Sequence, residues 1–406
     1  MKIYVFFVFL FLLGCSKKAE DKAKFTDAEV AELMLDSTQM ARIRMDSIKE
    51  IDLNGFLKRQ GFNFCDILKN INFIPLETTE NSLISDVKDV LVTDSNIYIC
   101  DSYQGGSIPI FDNYGHFIKR LKKGQGPDEI LKLKNIAFDK ENNELIVFHS
   151  HFFSYFTPNG VFKRRVKIPL NAYSFAVTPS GYLFYSINGM DNKHLNLSVE
   201  YQLLITDKSF KLESIALPYL YNQDLRLEGN TRYLALNNGM INITSKFNDT
   251  IYQYAGNNVI QAKKALNISQ HEIPTQYLKG SYENLMPNLY HNNYFFFLGE
   301  YATNEVHDYF RISNFYTKIY VEIFRDKKTG NCIGGTDISI DRSLIPSLGF
   351  PISSQGSFFI SYFLPGNDDM KLLTDKMIPQ KMVEKLKKLT TDDNPVLIFY
   401  ELKDFD

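Results

Sequence analysis

The sequence predicts an all-β chain folded as a six-bladed β-propeller of four-stranded antiparallel blades, behind an export signal and a short helical or disordered tether. Three observations carry that prediction. The 406 residues include 33 Phe and 24 Tyr but no Trp, and so much Phe and Tyr favours strands. From about Ile71 the chain breaks into short strand-like runs separated by Gly, Asn, Asp and Pro, recurring about every 40 to 45 residues, the size of one propeller blade. A lone strand, Ile71–Leu76, precedes the first complete unit. It is the piece a ring needs to complete its last blade.

Taken in order, the chain opens with Lys2 as a minimal basic region and an unbroken apolar run from Ile3 to Leu13. The run is too short to span a bilayer, which takes about 20 residues, and has the length of a signal-peptide core. It ends Leu12-Leu13-Gly14-Cys15, which resembles the lipobox of bacterial lipoproteins. The resemblance implies a signal peptide over residues 1–14, cleavage before Cys15, and a diacylglyceryl group on the Cys15 thiol. The protein is then expected in the cell envelope, as an outer-membrane lipoprotein on the periplasmic or the surface face. The residue types suit the chemistry, since the thiol is the nucleophile and small Gly14 leaves the bond open to a peptidase. Each buried acyl CH₂ adds about 0.8 kcal/mol, so two or three chains hold far better than one.

Residues 15–50 read as a lipidated tether. Ser16–Lys24 is charged and has the character of a solvated spacer. Thr26-Asp27-Ala28-Glu29 has the form of a capping box. Val30, Leu33, Met34, Met40, Ile43 and Ile48 then recur at roughly helical spacing, so part of the tether is expected to be helical. Residues 51–406 are assigned to the propeller.

Within that region Ile110-Phe111-Asp112-Asn113-Tyr114-Gly115-His116-Phe117 is matched by Tyr155-Phe156-Thr157-Pro158-Asn159-Gly160-Val161-Phe162, with Phe111 and Phe156 45 residues apart. A strand-turn-strand unit appears at Val90–Ile99, again at Ile136–Val147 and again at Ser174–Leu183. The predicted blades run over about Leu83–Lys122, Leu133–Ile168, Tyr173–Leu217, Leu225–Ala262 and Asn288–Gly335, and a sixth ends in Pro395–Tyr400. A blade cannot bury both faces alone; stacked in a ring, each sheet covers its neighbour.

Four stretches resemble the six-bladed β-propeller lipoproteins of Bacteroidota, a family of poorly defined function related in shape to NHL-repeat propellers. They are Phe73-Ile74-Pro75-Leu76-Glu77-Thr78-Thr79, the loop Gly124-Gln125-Gly126-Pro127-Asp128-Glu129, Phe247–Tyr252, and Asp393-Asn394-Pro395-Val396-Leu397. The loop departs from the family's Gly-Pro-Gly-Glu-Tyr, with Asp128 and Ile130 in place of the second Gly and the Tyr.

Chemistry is sparse. A formal net charge of −2 argues against nucleic acid, which wants a basic footprint. Once Cys15 carries lipid, Cys65, Cys100 and Cys332 remain, an odd number that argues against a disulfide framework; Cys100 reads as core packing. Gly124–Pro127 lacks the Gly-Lys-Ser/Thr of a phosphate loop and reads as a blade-to-blade turn, with Glu129 capping its amides or facing a pocket. His149-Ser150-His151 sets two imidazoles on one face of a strand without a third ligand, so no metal is expected. No Gly-x-Ser-x-Gly elbow is present. Asp368-Asp369 and Asp392-Asp393 sit in polar turns, and Asp112, Asp139 and Asp326 start turns as Asp does by bonding its own backbone. No catalytic residue and no cofactor are expected. The expected function is a binding or scaffold module held to a membrane by lipid on Cys15, with a glycan or an envelope protein as ligand. The alternative is a propeller enzyme, a lyase or hydrolase working at the central channel. A third reading is a sensory partner of a membrane protein.

Overall fold

The computed structural model describes residues 25–405 apart from residues 59, 103–105, 188–189, 191, 198, 220–231, 348–349 and 367. The export signal and Cys15 lie outside the described residues.

The chain forms six four-stranded antiparallel blades around a ring. Blade 1 is Val87–Val92, Asn96–Asp101, Ile108–Asp112 and Phe117–Leu121, from the innermost strand outward. Blade 2 runs from Leu133 to Lys167, blade 3 from Ser174 to Pro218, blade 4 from Leu234 to Asn267 and blade 5 from Phe296 to Gly335. Blade 6 takes Ser353–Gln355, Phe358–Phe363 and Val396–Leu402 from the end of the chain. Its outer strand is Leu68–Pro75, paired Phe73 to Ile398. The early strand therefore closes the ring as the sequence predicts, and the boundaries agree closely. Two starts differ. Asn288 lies in the helix Tyr282–His291, because Leu285 and Leu289 bury one helical face four residues apart; the first strand of blade 5 begins at Phe296. The first strand of blade 4 begins at Leu234, and Leu225 lies outside the described residues.

One apolar cluster fills each seam between neighbouring blades. Tyr98, Ile110 and Ile136 lie between blades 1 and 2, and Phe73, Phe324, Phe359 and Tyr400 between blades 5 and 6. The repeated turn glycines are points of contact between blades. Gly115 has φ +89°, and a Cβ there would stand 2.4 Å from the Pro75 carbonyl oxygen of blade 6. Gly160 has φ +78° and leans on Ile110 and Leu121 of blade 1. Only glycine meets both demands, positive φ and close approach.

The segment before blade 6's outer strand differs from the expected helical tether. The capping box forms: Glu29 N–H donates to Thr26 Oγ1 at 3.2 Å, and Thr26 N–H to Glu29 Oε2 at 2.8 Å. It starts a helix of only five residues, Asp27–Ala31. Met34 then turns the chain at φ 53°, and the rest is an extended belt. Gln39–Met40 pairs in parallel with the outer strand of blade 3. Arg42–Arg44 and Lys49–Asp52 do the same on blade 4. Gly61–Asn63 pairs with Asp337–Ser339 after blade 5. Met40, Ile43 and Ile48, expected on one helical face, are exposed; Leu33, Ala41, Ile51 and Leu53 are the buried anchors.

Candidate functional site

The two faces of the ring are built differently. On one face every connection is a tight turn, from two residues (238–239) to five (157–161). Aspartates hold several of them. Asp112 Oδ1 accepts from the amides of Tyr114 and His116, Asp139 Oδ1 from Glu141 and Asn142, and Asp326 Oδ1 from Lys328 and Thr329. The long connections, 76–86, 122–132, 186–200, 219–233, 268–295, 336–352 and 364–395, leave and rejoin the described strands on the other face. Rigid strands that present variable loops are the usual setting for binding, so the long-loop face is the candidate site.

At its centre, groups from four blades meet in the channel mouth. Lys88 of blade 1 donates to the Lys134 carbonyl of blade 2 at 3.3 Å and lies 5.6 Å from the Tyr173 ring before blade 3. Tyr173 packs edge-on against Tyr233, which stacks on Tyr185. Arg232, just before blade 4, pairs with Asp89 of blade 1 and donates to the Val90 carbonyl at 3.4 Å. Blades 1 and 4 stand opposite each other in a six-membered ring, so this ion pair crosses the channel. Burial brings Arg232 down to about 9, still protonated at neutral pH, and 29 % of its side chain remains open to solvent. Among the described residues, Lys88 and Arg232 bring two cationic side chains to the mouth beside the carboxylate of Asp89, so the mouth suits an anionic group.

Two of the four family-like stretches, 73–79 and 393–397, meet where the ring closes. Asn394, 2 % exposed, donates to the Glu77 and Ser82 carbonyls at 2.8 and 3.0 Å and accepts from the Ile84 amide at 2.8 Å. It knots the end of the chain to the start of blade 1. In the Gly124 loop, Glu129 Oε2 accepts from the Gly126 amide at 2.7 Å. A Cβ on Gly124 would fall within 1.9 Å of that oxygen. Glu129 thus caps the loop, one of its two expected roles.

His149 and His151 do not share a strand face, which corrects the sequence reading. The strand ends at His149, and Ser150 turns the chain at φ 49°. His149 is 1 % exposed. Its Nδ1 accepts from the Leu131 amide at 3.2 Å, so its Nε2 donates to Ser154 Oγ at 2.8 Å. A histidine that donates to the serine cannot act as its base. Burial, helped by Arg165, holds His149 at about 4. Among the described residues no group of three or more His, Cys, Asp and Glu could hold a metal. Cys65, Cys100 and Cys332 are free thiols, and burial pushes Cys100 up to about 12. Asp393 accepts from the Thr390 amide in a turn; Asp368 and Asp369 lie in a short 3₁₀ helix.

Two features escaped the sequence. Between blades 5 and 6, Arg311 lies 3.7 Å from the Tyr320 ring and 4.1 Å from the Phe350 ring and pairs with Glu300 and Glu322 at 3.4 and 3.3 Å. Tyr309 donates to Glu322, and burial pushes Glu322 up to about 8 against the pull of Arg311. The second is a cleft of about 220 Å³ between blades 6 and 1, where Phe358 and Phe399 meet the amides of Asn72, Asn113 and Gln355. Among the described residues no helix is long and apolar enough to cross a membrane.

A family model described as a domain of unknown function (DUF4934) matches residues 48–401. No curated protein matches. Among solved structures, a "putative exported protein" of Bacteroides fragilis superposes with a TM-score of 0.71 at 18 % identity, over 88 % of this chain and all of that one. BamB of Moraxella catarrhalis gives 0.39 at 8 % identity, over 82 % of this chain and all of that one. The extracellular domain of a one-component system of B. thetaiotaomicron gives 0.33 at 13 % identity, over 66 % of this chain and 29 % of that one.

Proposed function

This chain belongs to the DUF4934 family of unknown function, and on that premise we propose that it is an exported, lipid-anchored binding module of the bacterial envelope. Its site is the channel mouth on the long-loop face, and its ligand carries an anionic group, such as the carboxylate of an acidic glycan or of an envelope protein. The observation that carries the reading is the convergence of Lys88, Asp89, the Lys134 carbonyl, Tyr173 and Arg232, spread over some 145 residues of sequence, at a channel mouth ringed by long connections. Export is supported by the signal-like start, and lipid attachment by Leu12-Leu13-Gly14-Cys15. Binding rather than turnover is supported by the wiring of the mouth, where Arg232 is paired with Asp89 and Lys88 is held by the Lys134 carbonyl.

Isothermal titration with carboxylate-bearing and neutral oligosaccharides tests this. Binding should favour the acidic set, weaken with salt, and fall at least about tenfold, or 1.4 kcal/mol, in Arg232→Ala and in Lys88→Ala. Equal binding of neutral ligands by both variants would sink the assignment of the mouth. Turnover of a bound ligand would favour the enzyme reading.

A further inference from the structure

We infer that the long-loop face lies along a lipid surface, held there at two places on opposite sides of the channel; this rests on the lipid-anchored reading above. The first place is where the belt leaves the ring. Phe25 is 4 % exposed and packs against His151 and His194, with ring centroids 5.1 and 4.8 Å away. His151 is in the turn between the middle strands of blade 2, and His194 in the long connection 186–200 of blade 3; both are on the long-loop face. Lys167, at the same end of blade 2, bonds Glu29 at 2.5 Å and lies 5.6 Å from the Phe25 ring. Nine residues, 16–24, separate Phe25 from Cys15, and the ten steps between them span at most about 35 Å. A bilayer that holds Cys15 therefore lies within about that distance of the rim between blades 2 and 3.

The second place is the opposite arc. On the same face, blades 5, 6 and 1 expose Tyr290, Tyr316, Phe350, Leu364, Leu372 and Leu83, each between 44 and 66 % open. All six sit on connections of the long-loop face. Tyr290 stacks on Phe315 at 5.4 Å, and Phe350 on Arg311, so parts of the arc are held by packing. On the tight-turn face, Tyr114 and Ile118 of blade 1, Val161 of blade 2, and Leu236 and Met240 of blade 4 are exposed in ones and twos on separate turns, which is ordinary for a surface. An arc spread over three blades suits a broad, deformable headgroup layer better than one peptide, and Tyr, Phe and Leu are side chains that settle at that interface. Each contact is weak, but a short tether raises the effective concentration into the millimolar range. The ring would then turn its channel mouth toward the membrane, so its ligand would be carried there.

Hydrogen exchange read by mass spectrometry tests the orientation. A histidine tag in place of residues 1–15 attaches the chain to nickel-chelating lipid in phosphatidylethanolamine–phosphatidylglycerol vesicles, so the test does not depend on native lipidation. Exchange in 315–318 and 364–395 should slow by about threefold or more on the vesicles, while 113–116 and 157–161 stay unchanged. The double variant Leu364→Asp, Leu372→Asp should stay attached and lose the slowing. Slowing on the tight-turn face, no change at 315–318 and 364–395, or a change seen only when membrane proteins are added would overturn the inference, the last in favour of a protein partner. Whether Cys15 carries lipid is read separately, by radiolabelled palmitate incorporation in cells. Its failure would remove the anchor and leave the vesicle result standing.

Discussion

His149 carries a pH dependence with a definite sign. Its neutral form is held in the native state, at about 4 against an ordinary 6.5. The unfolded chain therefore takes up a proton as pH falls through 6.5, and the native chain only near 4. Stability should fall between those values, by up to about 3 kcal/mol, and the fall should be shallower in His149→Gln, measured by urea unfolding at pH 7 and pH 4.5. Glu322 runs the other way. Its native value of about 8 lies above 4.5, so its contribution is complete below pH 4.5 and is lost as pH rises through 8. Glu322→Gln should gain on the order of 2 to 4 kcal/mol relative to wild type between pH 5 and pH 8. No relative gain would mean that Arg311 holds the carboxyl ionised. Asn394→Ala strips partners from the Ile84 amide and the Glu77 and Ser82 carbonyls; it should cost about 2 to 4 kcal/mol in the same assay.

At the scale of elements, the strands were legible and the belt was not. Residues such as Ile97–Cys100 and Leu145–Phe148 are buried in unbroken runs, and Asp and Gly punctuate the turns at matching positions, so the blades announce themselves. The belt strands are two to four residues long and mostly exposed. They have no alternation to read, and the spacing of Met34, Met40 and Ile43 imitates a helix. Strand addition along an edge depends on the partner edge rather than on the added sequence. The mouth was hidden for a related reason, since Asp89 and Arg232 meet only when the ring closes. One trace was available: Lys88 and Lys134 are both the second residue of an innermost strand, the kind of recurrence that superposing the repeats exposes. A chain beginning at residue 58 would bare the outer edges of blades 3 and 4. It should keep its strand content by circular dichroism but self-associate in sedimentation, and a monodisperse monomer would show that the belt does not guard those edges.

At the scale of the whole molecule, the ring is a rigid platform with one plain face and one elaborated face. The belt, and the lipid proposed on Cys15, then decide how that platform is presented. Cys15→Ala should leave thermal unfolding of the ring unchanged while moving the protein out of the membrane fraction; retention there would contradict lipid attachment at Cys15. The long-loop face is proposed as the working face. It is tested most directly by photo-crosslinking in cells, with benzoylphenylalanine placed at Tyr173 in the channel mouth or at Tyr114 on the tight-turn face. A discrete adduct should form from position 173, be lost on adding Arg232→Ala, and be absent from position 114. Adducts from position 114 alone would contradict it.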